Sequence, residues 1–305
     1  MASVVSRGSM FTAELTNEMF NMVSGKSSLA ALSGQKPIPF NGATMFTFNF
    51  DKEVDVVGEN GAKGNGGVTI APVTVTPIKI EYGTRISDEF KYGSEEIQLQ
   101  YLQAFAEGFA KKVARGIDIM ALHGLNPRTN TLATSVIGNN HFDYAVSQKV
   151  TESVSTTADE DVEAMIALVQ ANEDDVTGMM MSPAFRSRLA VMTDGDGRKL
   201  YPELGWGAAP SAIKGLPISV NSTVSKAAAD AEEVDQAIVG NFRDYFRWGF
   251  SKEIPVEVIE YGNPDNDAVA GDLKGHNQVY LRGEAYVGWA ILRPEAFAKV
   301  VANPS

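Results

Sequence analysis

"SEEIQLQYLQAFAEGFAKKVARGIDIMALHG", Ser94 to Gly124, is the longest helical signal in the chain. Ile97, Tyr101, Phe105, Phe109 and Val113 recur every four residues, so they share one face of a helix. Ser94 is placed to cap the first turn and Glu95 and Glu96 to meet its positive end, while Lys111, Lys112 and Arg115 lie toward the other end. At 1.5 Å per residue the helix is on the order of 45 Å long, a spine rather than a strut of a compact domain. Gly108 and Gly116 each cost about 1 kcal/mol relative to alanine and mark places where it bends or packs closely.

Before this helix, "TMFTFNFDKEVDVV" (Thr44 to Val57) and "VTIAPVTVTPIKIEY" (Val68 to Tyr82) partly alternate apolar and polar residues, and the second is dominated by β-branched ones. They predict two strands of a long hairpin. Pro72 and Pro77 each remove a backbone donor, which suits an edge and argues against a buried central sheet. The connector, "GENGAKGNGG", carries Gly58, Gly61, Gly64, Gly66, Gly67 and one lysine, Lys63. A phosphate-binding loop would need Gly, four residues, Gly-Lys-Ser/Thr and then a helix. Here Lys63 precedes Gly64 and a strand follows, so the segment reads as the tip of an arm.

Beyond the helix, Asn126 to Val154 holds turn residues and a short strand or two. "TTADEDVEAMIALVQ" opens with a capping box, Thr157 with Glu160, and sets Val162, Met165, Ile166 and Val169 on one face. "GMMMSPAFRSRLAVM" predicts a buried strand, then a helix with Ser182 as cap and Pro183 at its first position. Strands are expected over Lys214 to Val220, Gln236 to Phe242, Ile254 to Tyr261 and, unusually long, Asn277 to Leu292. "RPEAFAKVV" reads as a short terminal helix or turn. In "NFRDYFRWGF" alternation sets Phe242, Asp244 and Phe246 opposite Arg243, Tyr245 and Arg247, a hairpin with one packed face. The fold class is α+β. At the N-terminus Phe11, Leu15, Met19 and Met22 recur at helical spacing.

The 305 residues carry 26 Lys+Arg against 38 Asp+Glu, a net charge of −12 that argues against a broad nucleic-acid surface. With no cysteine, thiolate nucleophiles, disulfides and Cys-ligated zinc are excluded. No stretch approaches the roughly 20 apolar residues of a membrane span. "DGDGRK", Asp194 to Lys199, fails as a calcium loop because Arg198 stands at the fifth position. His123, His141 and His276 are far apart in sequence and lack ligand spacing, and no G-x-S-x-G elbow is present. No catalytic, metal-binding or cofactor-binding residues are therefore assigned. An arm, an overlong helix and an overlong strand without a reactive cluster suit contact with copies of the same chain.

In order and spacing, "SGKSSLAALSGQKPIPF", the hairpin running into "YGTRISDEF", "YLQAFAEGFAKKVARGIDIMALHG", "MMMSPAFRSRLAVMTDGDGRKLYP", "IKGLPISVN", "AIVGNFRDYFRWG" and "LRGEAYVGWAILRPEAFAKV" resemble the major capsid proteins of tailed bacteriophages, the Hong Kong 97-type fold. The resemblance covers nearly the whole chain. It implies an N-arm over residues 1–44, an extended E-loop over 45–84, and a peripheral domain over 85–153 with its spine helix at 94–124. It further implies an axial domain over 154–271, a long peripheral-domain strand over 272–292, and a return to the axial domain over 293–305. The function implied is self-assembly into pentamers and hexamers of an icosahedral shell around packaged double-stranded DNA, held non-specifically. The expected partners are copies of the chain, a portal protein and a separate scaffolding protein, with assembly in the host cytoplasm and no membrane. An encapsulin-like compartment enclosing a cargo enzyme is the alternative. Lys63 and the five glycines around it are the expected inter-subunit contact. Some members weld subunits by an isopeptide bond from an E-loop lysine to a distant asparagine; Lys63 is the only lysine at this tip, and its partner is not identifiable.

Overall fold

The computed structural model describes residues 26–302, except 51, 154–155, 206–209, 230 and 252–255. The helical pattern at Phe11, Leu15, Met19 and Met22 lies outside the described residues.

The long helix runs unbroken over Glu95–His123, with the Ser94 hydroxyl accepting from the Ile97 amide. Gly124 ends it in the left-handed region (φ 65°), and its N–H reaches the Met120 carbonyl. The predicted stripe is buried from Phe109 onward, whereas Ile97 and Tyr101 stay exposed, so the first two turns lack a core beneath them within the subunit.

Strands β1 (Ala43–Phe50) and β2 (Val68–Val75) form a two-stranded antiparallel hairpin with Phe46 opposite Pro72 and Phe50 opposite Val68. Two expectations are corrected here. The first strand stops at Phe50 instead of Val57, and the second divides at Thr76 and Pro77, after which β3 (Ile78–Ser87) joins a different sheet. Pro77 has no N–H and restricts the residue before it, which lets the chain change sheets at that point.

The remaining strands are β4 (Lys149–Thr151), β5 (Gly178–Met181), β6 (Ala212–Ile213), β7 (Leu216–Val220), β8 (Val234–Gly240), β9 (Phe246–Phe250), β10 (Val256–Ile259), β11 (Gln278–Ile291) and β12 (Phe297–Ala302). β11 is the axis of a four-stranded antiparallel sheet: β3 lines one edge, and β10 and then β9 share the other. Its 14 residues span about 46 Å, close to the ~44 Å of the 29-residue helix packed on it. Gly283 permits the contact, since a Cβ there would stand 3.0 Å from the Phe109 ring.

A mixed six-stranded sheet has the order β4-β12-β8-β5-β7-β6. Helices Ala158–Gln170, with the predicted capping box, and Pro183–Val191, capped by Ser182, cover one face through Met165, Val169, Phe185 and Leu189. Met179 and Met181 point into that core, whereas Met180 points into the core shared with the long helix. A sheet buried on both faces explains an unbroken "GMMM".

Two further sequence expectations are corrected in this sheet's surroundings. "RPEAFAKVV" is a turn at Pro294–Ala296 followed by β12, which lies between β4 and β8. "NFRDYFRWGF" is one helical turn and a strand: the Asn241 side chain accepts from the Asp244 amide and starts Phe242–Tyr245. Phe242 and Phe246 then fall four apart and both enter the core, where the Phe142 ring lies 6.3 Å from Phe242 and 5.7 Å from Phe246 and the Phe297 ring 5.1 Å from Phe242.

The segment before the hairpin is attached to β9. The Lys36 amide donates to the Trp248 carbonyl (2.9 Å) and the Ile38 amide to the Phe250 carbonyl (3.2 Å). A Cβ on Gly249 would lie 1.7 Å from the Lys36 carbonyl oxygen, a backbone atom that cannot turn aside. Gly249→Ala is expected to destabilise the subunit by about 1–3 kcal/mol, read as a lowered Tm. Gly108→Ala, with nothing within 4 Å of the added methyl, is the contrast and should stabilise by up to about 1 kcal/mol.

Candidate assembly surfaces and the joint behind them

The glycine-rich tip is exposed throughout. The Gly61 amide closes a turn onto the Gly58 carbonyl (2.9 Å), with Asn60 at φ 66°. Lys52 Nζ reaches across to the Asn65 carbonyl at 3.0 Å, and Gly64 lies so near Asp55 that a Cβ would sit 2.5 Å from its carboxylate. These bonds draw the two arms of the loop together. Lys63 and Gly66 are exposed, and Lys63 has no hydrogen-bond or ionic partner among the described residues.

The hairpin below the tip has two unlike faces. Val75 is fully buried at its base, against Ile38 and Ala290, with Met45 and Val73 beside it. The opposite face shows Phe46 (61% exposed), Phe50 (80%), Val68 and Ile70 to solvent, and Val54 and Val56 continue the apolar character into the loop. The register puts Phe50 beside Val68 and Phe46 beside Pro72, so this is one contiguous apolar strip.

Behind the hairpin, buried charge joins the elements. Asp118, in the C-terminal part of the long helix, has no exposed surface. Its carboxylate accepts from Ser27 Oγ (2.5 Å), the Ser28 amide (2.9 Å), the Leu29 amide (3.3 Å), Thr223 Oγ1 (3.0 Å) and Asn221 Nδ2 (3.3 Å). Three segments distant in sequence therefore converge on one side chain: the short helix Ser28–Leu32, the long helix and the turn after β7. Burial raises the Asp118 pKa, against the hydrogen bonds that favour the anion.

A second cluster lies at the C-terminal end of the helix. His123 Nδ1 is 2.9 Å from Asp143, and its Nε2 is 2.9 Å from the Thr223 carbonyl. Both ring nitrogens face acceptors, which calls for the imidazolium. Lys299 Nζ lies 2.9 Å from Asp143 and 3.1 Å from Asp235. His123, Asp143 and Asp235 bring their ligand atoms within 4.8 Å of one another, a spacing that would suit a cation, but the Lys299 ammonium already fills that place. The histidines expected to be apart are partly brought together: the His141 ring packs on Gly124, next to His123. His276 stays separate, its Nδ1 3.0 Å from the Asp272 carbonyl. Asp194 accepts from the amides of Asp196 and Arg198, so "DGDGRK" is a turn tied by its own aspartate.

Burial and the Asp143 carboxylate push Asp235 up to about 7, against the pull of Lys299. Burial also works against ionised Asp143, but His123 and Lys299 hold its carboxyl well below the usual range. Between about pH 4 and 7 the folded chain thus holds a proton on Asp235 that the unfolded chain has released, so this group's contribution to stability falls as pH rises through that window. His123, raised by Asp143 despite burial, acts in the same direction above its ordinary value of 6.5. Thermal stability attributable to the cluster is expected to fall from pH 5.5 to 8.5. Asp235→Asn should flatten that slope in a Tm-versus-pH series.

Residues 8–302 match the phage capsid family. The chain belongs to the phage capsid family. Among solved structures, one from Mycobacterium phage Ogopogo shares 31% identity with this capsid protein, covering 91% of this chain and 92% of that one with a TM-score of 0.77. One from Gordonia phage Cozz shares 22% identity, covering 92% and 87%, with a TM-score of 0.73. The capsid of a native GTA particle has the same fold at 14% identity, covering 92% and 91%, with a TM-score of 0.64. No curated protein matches. The mixed helix-and-sheet architecture is the Hong Kong 97-type fold expected from the sequence, and these relatives favour a phage shell over an encapsulin-like compartment. The capsid protein is a structural component of a virion, whose shell is built from many copies of it. No helix among the described residues is long and apolar enough to cross a membrane.

Of the residues that matter to the joint, Asp118, Asp143, Asp235 and Lys299 were not singled out from sequence. Asp118 had a signal, as a charge set within the apolar run "GIDIMAL" on the buried side of a helix.

Proposed function

We propose that the hairpin and its tip seat on the next copy of the capsid protein, and that repetition of this contact closes pentamers and hexamers into an icosahedral shell around double-stranded DNA. The observation that carries the reading is the exposed strip of Phe46, Phe50, Val68 and Ile70 on a two-stranded ribbon outside both larger sheets. Such a ribbon is marginal alone, and a strip of this kind marks a contact surface. In this reading residues 1–44 serve as N-arm and 45–84 as E-loop. Residues 85–153 with 272–292 form the peripheral domain, and 154–271 with 293–305 the axial one. Assembly takes place in the host cytoplasm with a separate scaffolding protein and a portal protein. The acidic chain lines a wall that holds DNA without gripping it.

The full chain expressed alone or with its scaffold should sediment as large closed particles. A strictly monomeric species in every condition contradicts the reading.

At the tip, Gly58, Gly61, Gly64, Gly66 and Gly67 let the loop adapt to each neighbour, and Lys63 touches that neighbour without bonding to it. Mature particles boiled in denaturant should run as single chains on a gel. A ladder of multimers that disappears in Lys63→Arg would overturn this point, because it would require the lysine amine to have displaced ammonia from a neighbouring asparagine.

A further inference from the structure

A groove of about 670 Å³ runs between β3, the C-terminal half of the long helix and the loop after that helix. Its floor is apolar, with Phe109, Val113 and Met120 contributed by the helix. Its rim carries Lys112, Arg115 and Arg128, none of them in an ion pair among the described residues, against one exposed carboxylate, Glu81, while Lys79 on the same rim is paired with Glu284 (2.7 Å); the chain as a whole is acidic. An apolar floor with a cationic rim suits an amphipathic segment whose polar side is acidic.

The chain itself supplies such a segment, and it starts at the groove's edge. Lys26, where the described residues begin, accepts through its carbonyl from Asn221 Nδ2 (3.3 Å). The next residue, Ser222, accepts through its hydroxyl from Arg115 Nη1 (3.2 Å), and Arg115 lines the groove. Preceding Lys26 by a few residues, Phe11, Leu15, Met19 and Met22 recur at helical spacing, with Glu14 and Glu18 between them. Met22 stands four residues before Lys26, so the segment's end lies within about 14 Å of the point where the chain is held beside Arg115.

We propose that residues 11–22 of the same chain occupy this groove, with Phe11, Leu15, Met19 and Met22 on its floor and Glu14 and Glu18 against Lys112, Arg115 and Arg128. The docked segment covers the cations of the long helix. The inference rests on groove chemistry and chain connection and does not depend on how copies are arranged in the shell.

The absence of cysteine from the sequence makes the test direct. Val136, an exposed residue lining the groove, is replaced by cysteine in the full chain together with Leu15→Cys or Met19→Cys, and in controls with Ala13→Cys or Asn17→Cys on the opposite side of the segment. After mild oxidation, the first two pairs should run as internally cross-linked monomers on a denaturing gel and the controls should not. Adding Lys112→Glu and Arg115→Glu should reduce cross-linking severalfold, and adding Glu14→Lys and Glu18→Lys to those should restore it. Disulfide-linked dimers would overturn the proposal in favour of a segment from a neighbouring copy. Equal cross-linking of controls and test pairs, or none at all, would overturn it outright. Loss of DNA binding in Lys112→Glu/Arg115→Glu without any cross-link would assign the groove to nucleic acid instead.

Discussion

Replacing Phe46 and Phe50 together by serine is expected to abolish shell assembly while leaving the subunit folded. Both rings are largely exposed in the single chain, at 61% and 80%, so their removal opens no cavity and should change the subunit's own stability by no more than about 0.5 kcal/mol. Their value lies in what covers them. Burying a phenylalanine contributes about 2–3 kcal/mol, so two lost rings weaken each inter-subunit contact by roughly 4 kcal/mol, on the order of a thousandfold. A closed shell repeats that loss at every subunit. Circular dichroism and Tm should match the parent chain, while sedimentation and microscopy should show small species only. Val54→Ser, beyond the paired strands, is the graded control and should slow assembly without abolishing it.

Asp118→Ala should cost the subunit about 3 kcal/mol or more. The side chain is fully buried and accepts from five donors, two of them backbone amides at the start of the helix Ser28–Leu32. Deleting it leaves buried N–H groups without partners, each worth about 1–3 kcal/mol, and withdraws the anion that opposes the positive end of that helix. The effect is not confined to stability. Ser27 and Ser28 would lose their anchor on the long helix, and with it goes the attachment of the chain leading to the hairpin. A Tm drop of about 5–10 °C is expected. Protease should cut preferentially near residues 26–40. Asp118→Asn keeps an acceptor but presents two N–H groups to donors, so it should recover only part of the loss.

The long helix, its caps, the capping box at Thr157, the Ser182 cap and the long strand β11 were legible because each rests on local chemistry: periodicity, a polar residue at a helix start, an apolar run of the right length. What was missed depends on distant partners. β12 carries too little local signal to distinguish strand from helix, and it becomes a strand because β4 and β8 flank it. The change of sheet at Pro77 was half visible, since proline marked a break but not where the chain would go. Phe242 and Phe246 alternate like strand residues, yet Asn241 capped a helical turn and set both rings into one core. The buried charges were the least legible. His123, Asp143, Asp235 and Lys299 are far apart in sequence, and only the packing of β12 beside β8, next to the end of the long helix, makes them neighbours.

In the assembled shell the hairpin of one copy is expected to lie on the next. Electron cryo-microscopy of particles assembled from the full chain tests it most directly. Closed icosahedral shells in which Phe46 and Phe50 are covered by a neighbouring subunit are the predicted result. Shells in which that strip faces solvent, or folds back onto its own subunit, would contradict the account.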